Sequence, residues 1–272
     1  MELFSLKDKV IVITGAAGLL GKEYAESIAN YKGIPILVDI NTKELDKQVK
    51  EINKTFNIKS EAYSIDITDE KSVKNCCEAI KNKFGKIDGL INNASNNPKV
   101  ESSKKNFSRL ENFSLKSWQE DISVSLTGSF ICSKYFGFEI SKNPNGGSII
   151  NVSSDLGLIA PNQNIYKEKN KKDENQPVKP VSYSVAKHGI IGLTRYISTY
   201  WAKNNLRCNA ICPGGVFNNQ SDKFVDDLTK LIPMGRMADK DEYNGLIIFL
   251  LSDASSYING SIITADGGRT VW

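Results

Sequence analysis

The sequence predicts an α/β fold, a doubly wound parallel sheet in three layers, α/β/α. Three observations carry this. Short apolar runs alternate with longer helical patterns along the chain, a glycine-rich turn links the first run to the first helical pattern, and no linker interrupts the rhythm. Residues 10–14, 34–39, 62–65, 89–91, 148–152, 207–211 and 261–265 read as strands. Amphipathic segments at 22–31, 43–56, 70–84, 115–140 and 183–203 read as the helices between them. Strands that alternate with helices of this length build a parallel sheet covered on both faces, a Rossmann-like arrangement.

The chain has 272 residues, 40% of them hydrophobic, enough for one sizeable core. Residues 1–272 are expected to form a single domain. The 35 basic and 31 acidic residues leave a formal charge of +4, spread over helix faces and one loop, which argues against a nucleic-acid partner. No apolar run reaches membrane-spanning length, and the strand at 10–14 follows the N-terminus too closely for a signal peptide, so a cytoplasmic protein without a membrane partner is expected. Cys76, Cys77, Cys132, Cys208 and Cys212 show no C-x-x-C spacing, and the chain has one histidine. Reduced, buried thiols and no metal site are the expectation.

The first strand runs into Thr14-Gly15-Ala16-Ala17-Gly18-Leu19-Leu20-Gly21 and then a helical pattern. Gly15, Gly18 and Gly21 permit a tight turn that brings backbone N–H groups against a pyrophosphate. Leu19 and Leu20 open the helix whose N-terminus favours the negative charge. Asp39 closes the second strand, where a carboxylate accepts hydrogen bonds from an adenosine ribose and repels a 2′-phosphate. No Arg or Lys lies in Ile40-Asn41-Thr42, so NAD is expected in preference to NADP. A strand-end turn or helix cap is a second role that Asp39 can hold at once.

Seven motifs in order resemble the short-chain dehydrogenase/reductase family over nearly the whole chain: Thr14-Gly15 with Gly21, Asp66-Ile67, Asn92-Asn93-Ala94, Ser153-Ser154, Tyr183-Ser184-Val185-Ala186-Lys187, Pro213-Gly214 and Asp266-Gly267-Gly268. The resemblance implies hydride transfer between a nicotinamide and a secondary alcohol or ketone, with Ser154, Tyr183 and Lys187 as the catalytic residues and Ser153 as the fallback serine. It also implies that Asp66 and Ile67 border the adenine and that Asn93 and Ala94 line the cofactor. Lys187 would hold the nicotinamide ribose, beside Tyr183. Pro213 and Gly214 would flank the nicotinamide, with Val216 near the start of a substrate loop over 215–237. The long central helix, bearing Trp118, Tyr135, Phe136 and Phe138, implies a homo-oligomer, tetramer or dimer.

The chemistry is sensible without the family. Reducing a carbonyl creates an alkoxide that needs a proton, and oxidising an alcohol needs a base. Tyrosine and lysine at i and i+4 share a helix face, and a nearby ammonium favours the tyrosinate. His188, next to the lysine, is rotated away from that face.

Three departures from the family pattern stand out. Leu19 occupies a usual glycine position, giving the glycine spacing of longer, nucleotide-sugar-modifying members. Ser125 stands where the family commonly has an asparagine that helps hold a water in the proton relay, making it a candidate relay residue. A charged insertion separates Ser154 from Tyr183, so Tyr166, Lys167 and Lys169 are candidates to meet an anionic or hydroxyl-rich substrate. Substrate loops are expected at about 96–112, 157–180 and 215–237, since loops leaving the carboxyl ends of strands border the ligand crevice. The leading function is NAD-dependent oxidation or reduction of a sugar, sugar acid or polyol. The alternatives are reduction of a 3-oxoacyl thioester and a dinucleotide-binding sensor or scaffold without turnover.

Overall fold

The computed structural model describes residues 2–97, 100, 108–169 and 171–272. Much of the loop expected at 96–112 therefore lies outside the described residues. Strands β1 (Val10–Thr14), β2 (Ile34–Asp39), β3 (Glu61–Ser64), β4 (Gly89–Asn92), β5 (Gly147–Val152), β6 (Leu206–Pro213) and β7 (Ile262–Ala265) form one parallel sheet in the order β3-β2-β1-β4-β5-β6-β7. The order reverses beside β1, between it and β4, which opens a crevice at the carboxyl ends of those strands.

The helices are α1 (Leu19–Asn30), α2 (Thr42–Phe56), α3 (Glu70–Phe84), α4 (Leu115–Ile122), α5 (Gly128–Ile140), α6 (Val181–Tyr200), α7 (Asp222–Thr229) and α8 (Asn244–Leu251). Successive strand residues point to opposite faces, and two cores result. Ile11 and Ile13 of β1 pack with Tyr24 and Ile28 of α1, Leu45 and Ile52 of α2 and Ile247 of α8. Val10 and Val12 face the other way, toward Val73 and Ile80 of α3, Phe136 and Ile140 of α5 and Ile197 of α6. Because both faces are covered, β1 is buried throughout, and its continuous apolar run follows from that.

Some elements differ from the sequence pattern for identifiable reasons. The segment expected as one helix over 115–140 is α4 and α5 joined by a π turn at Ser123–Thr127, an extra-residue widening that helical periodicity does not announce. Helix α8 is apolar nearly all round, with Ile247, Ile248, Leu250 and Leu251 buried, so it carries no amphipathic signal. Helix α7 lies inside the 215–237 loop.

All five cysteines are buried and unbonded. Among the described residues no cluster fits a metal ion, and no helix is long and apolar enough to cross a membrane.

Candidate active site

The crevice holds a cavity of about 680 Å³ that runs from the β1–α1 turn to the far side of β6. At one end, Gly15 has φ +65°, and a Cβ there would stand 2.8 Å from the Ala94 Cα. The turn is pinned to β4. Asn93 Nδ2 donates to the carbonyls of Thr14 and Gly15 at 3.0 and 3.1 Å, and Thr14 Oγ1 accepts from the amides of Asn93 and Ala94, both at 3.1 Å. Gly21 is not on the cavity wall. A Cβ there would lie 2.3 Å from the Gly15 carbonyl oxygen, so this glycine lets α1 seat against the turn rather than touching a ligand.

Gly18 is the N-cap of α1 and supplies no side-chain cap, leaving the first amides of that helix, at Leu19 and Leu20, without an intrahelical partner beside the cavity. Leu19 forms part of the wall with 36% of its surface exposed and leaves the crevice open. Asp39 forms the strand-end turn considered for it, while the N-cap of α2 is Asn41. Its Oδ2 accepts from Ala17 N and its Oδ1 from Asn41 N, both at 3.0 Å, and each oxygen keeps a lone pair for a ribose hydroxyl. Asp66 and Ile67 line the same end, Asp66 Oδ1 accepting from Thr68 N and Oγ1. The glycine cradle, the uncapped amides and the carboxylate opposite them fit the pyrophosphate and adenosine ribose of a dinucleotide.

At the other end, Ser154, Tyr183 and Lys187 line one wall with Pro213, Gly214 and Val216. Lys187 Nζ is 5.8 Å from the Tyr183 ring centroid and donates to the Val152 carbonyl at 2.9 Å. Burial pushes this ammonium down to about 8, with the charge of Lys179 acting in the same direction. Burial also dominates Tyr183, raising its phenol above the ordinary value while the Ser154 hydroxyl acts the other way. Desolvation thus sets the direction of the Tyr183 shift, opposite to the one a neighbouring ammonium alone would give.

The two serines separate clearly. Ser153 Oγ donates to the Lys187 carbonyl at 2.7 Å and so is committed to the α6 backbone. Ser154 Oγ donates to Asp155 Oδ1 at 2.7 Å and accepts from Leu156 N. Asp155 in turn pairs with Arg269, and both are buried. This pair, at the cavity wall beside Ser154, was missed in the sequence. The one available signal was a cation placed directly after Asp266-Gly267-Gly268.

Ser125 is buried in the π turn and is not on the cavity wall. Its hydroxyl meets that of Ser95, which does line the cavity, at 2.9 Å. His188 is turned away, its Nδ1 2.9 Å from the Ser184 carbonyl. Of the insertion residues, Tyr166 reaches the cavity, but Lys167 and Lys169 are exposed and do not line it, since the chain turns outward after the 3₁₀ turn Gln163–Tyr166. Lys179 takes the place expected for them: its Nζ lies 3.9 Å over the Tyr183 ring. The 215–237 loop closes the roof, with Phe224 of α7 packed on Tyr166 at 5.7 Å between ring centroids.

Residues 15–270 match the model of a protein family described as enoyl-(acyl carrier protein) reductase. The chain is 33% identical over 278 residues to the NADP-dependent mannitol dehydrogenase of Hypocrea jecorina, spanning 99% of this chain and 95% of that protein. It is 29% identical over 274 residues to the NAD-dependent glycerol dehydrogenase of Listeria innocua, spanning 98% and 96%. Among solved structures, a short-chain type dehydrogenase/reductase from Mycobacterium marinum superposes with a TM-score of 0.85 at 26% identity, covering 99% of this chain and 98% of that one.

Proposed function

The chain belongs to the short-chain dehydrogenase/reductase family as an NAD(P)-dependent oxidoreductase of alcohol groups, and on that premise we propose that it interconverts a secondary alcohol and ketone of a sugar, sugar acid or polyol with Tyr183 as general acid and base. The single observation that carries this is the convergence of Ser154, Tyr183 and Lys187 on one wall of a cavity whose opposite end fits a dinucleotide. When bound, the nicotinamide supplies or accepts the hydride.

The chain's own residues handle the proton. In reduction, the Tyr183 hydroxyl gives its proton to the oxygen that becomes the alcohol. In oxidation, the phenolate takes the alcohol proton back. Burial holds Tyr183 protonated, which suits it to donate, and the Lys187 ammonium is the group able to stabilise the phenolate in the opposite direction. Ser154 would hold the reacting oxygen beside the phenol by turning to it the hydroxyl proton that it gives to Asp155 here. Ser125, one hydrogen bond behind Ser95, would support a relay only through that second hydroxyl.

NAD is the proposed cofactor. Asp39 places a carboxylate at the ribose end, and Lys22, a nearby α1 cation, is engaged by Glu44. The names of the relatives point both ways, and the mannitol dehydrogenase leans toward NADP, so the preference rests on Asp39. The Lys179 ammonium on the cavity wall, which forms no ion pair among the described residues, favours a polar substrate over the acyl chain of a thioester, because an apolar surface would not solvate it.

The test is a panel of sugars, sugar acids and polyols with both nicotinamides, repeated with Tyr183→Phe. Turnover of at least one class is expected, falling by roughly 10²–10⁴-fold in the variant while NAD binding persists. Unchanged turnover in Tyr183→Phe refutes the assignment.

A further inference from the structure

Lys179 is a half-buried cation on the wall of the catalytic cavity that the proposed proton chemistry does not use. Of the other two cations there, Lys187 donates to the Val152 carbonyl and Arg269 is ion-paired with Asp155. The Lys179 ammonium donates to the neutral Asn97 Oδ1 at 2.7 Å and lies over the Tyr183 ring, and no carboxylate among the described residues forms an ion pair with it. The fields of Asp155 and Asp121 favour its charge, but both acids are engaged elsewhere, Asp121 by Ser182 and Asn96, Asp155 by Arg269, Ser154 and Leu156. Desolvation outweighs them, pushing Lys179 down to about 8.

The backbone that carries this side chain is also held in place. Lys179 N donates to Gln163 Oε1 at 2.8 Å, Gln163 Nε2 returns a bond to the Lys179 carbonyl, and Pro180 follows as the N-cap of α6. The charged insertion therefore ends in a fastened cation directed at the reacting phenol. An ammonium has three donors; Asn97 takes one, and on a partly desolvated cavity wall without a counter-charge the others favour an anion.

We infer that the substrate is a polyhydroxylated anion, a carboxylate or phosphate ester, whose charged group is held by Lys179 beside Tyr183. This rests on the function proposed above and narrows its substrate class. Arg269 lines the same cavity, and with one of its five donors spent on Asp155 it is placed to share the anion.

The experiment compares four- to six-carbon alditols with the matching aldonates and alditol phosphates, at saturating NAD, for the wild type, Lys179→Met and Lys179→Arg. The expected wild-type result is a kcat/KM about tenfold or more higher for one anionic series than for the neutral alditols. In Lys179→Met, KM for that series rises by roughly 10–100-fold relative to KM for the neutral alditols, and Lys179→Arg restores much of that difference. The favoured series distinguishes carboxylate from phosphate.

Neutral alditols used as well as both anions would overturn the inference while leaving the proposed function standing. So would a loss of kcat on neutral and anionic substrates alike, which assigns Lys179 to the phenol instead. If no alcohol is turned over, the proposed function falls, and calorimetric binding of the same aldonates and phosphates to the NAD-loaded protein still decides: equal binding by wild type and Lys179→Met, or none by wild type, refutes the anion site.

Discussion

Removing the Arg269 guanidinium strands the Asp155 carboxylate where only 5% of its side chain reaches the surface. Breaking a buried pair from one side costs roughly 3–5 kcal/mol, because the remaining charge keeps its desolvation cost and loses its partner. Asp155 Oδ1 would still accept from Ser154 Oγ and Leu156 N, which places Arg269→Leu near the lower end, about 3 kcal/mol. For a chain of this size that corresponds to a fall in Tm of roughly 6–12 °C. The assay is urea unfolding and calorimetry of Arg269→Leu, Asp155→Asn and the double variant. The double variant should be less destabilised than the two single effects added together, by about 1 kcal/mol or more, since no stranded charge remains. Arg269→Leu within about 0.5 kcal/mol of wild type, or strict additivity, would show that the pair is not electrostatically coupled and refute the reasoning.

Asp39→Ala should weaken NAD binding by roughly 5–30-fold and narrow the discrimination against NADP, measured by fluorescence titration. A wild type that prefers NADPH would remove the basis of that expectation. The stability of the ligand-free protein should rise between about pH 8 and 10: burial pushes Lys179 and Lys187 to about 8, below the ordinary 10.5, so the unfolded chain binds more protons in that window. Denaturant midpoints across that range, with Lys187→Met flattening the slope, check the sign; a wild-type midpoint that falls would contradict it. Above about pH 10 buried tyrosines such as Tyr24, which burial keeps protonated, act in the opposite sense. Ser125→Asn should raise turnover if the serine limits the proton relay, and an unchanged pH–rate profile would count against that role.

What could be read in the sequence is what local periodicity and strand-end position encode. The apolar runs of β1 and β2 are continuous because both faces of the sheet are covered, and Asp39, Ser154 and Pro213 sit where those strands and their neighbours end. Tyr183 and Lys187 lie four apart on α6, so their shared face follows from helix geometry alone. The Asp155–Arg269 pair could not be read this way, since its members come from opposite ends of the substrate side of the chain and meet only through the packing of β5, β6 and β7. The insertion defeated the reading for a related reason. A loop has no period, so nothing in Lys167, Lys169 and Lys179 tells which turns inward until Gln163 is seen clipping the last of them to its own segment. The direction of the Tyr183 shift needed the depth of the cavity, which spacing does not contain.

The division of labour follows from these placements. Groups proposed to handle the cofactor and the proton sit on strand ends or on the first turns of α6, supported by two cores and by backbone hydrogen bonds. Groups proposed to meet the rest of the substrate come from the insertion and the 215–237 loop, which share a small apolar cluster of Ile165, Leu228, Ile232 and Met237 with Tyr166 and Phe224 on its margin. The two loops therefore brace one another over the cavity. A substitution in that cluster should act on substrate affinity before it acts on the proton step, because Tyr183, Lys187 and Ser154 are anchored independently of it. Lys179 joins the two systems: its backbone belongs to the insertion, while its ammonium lies over the phenol. Through that residue the charge of the bound substrate can bear on the proton that the reaction moves.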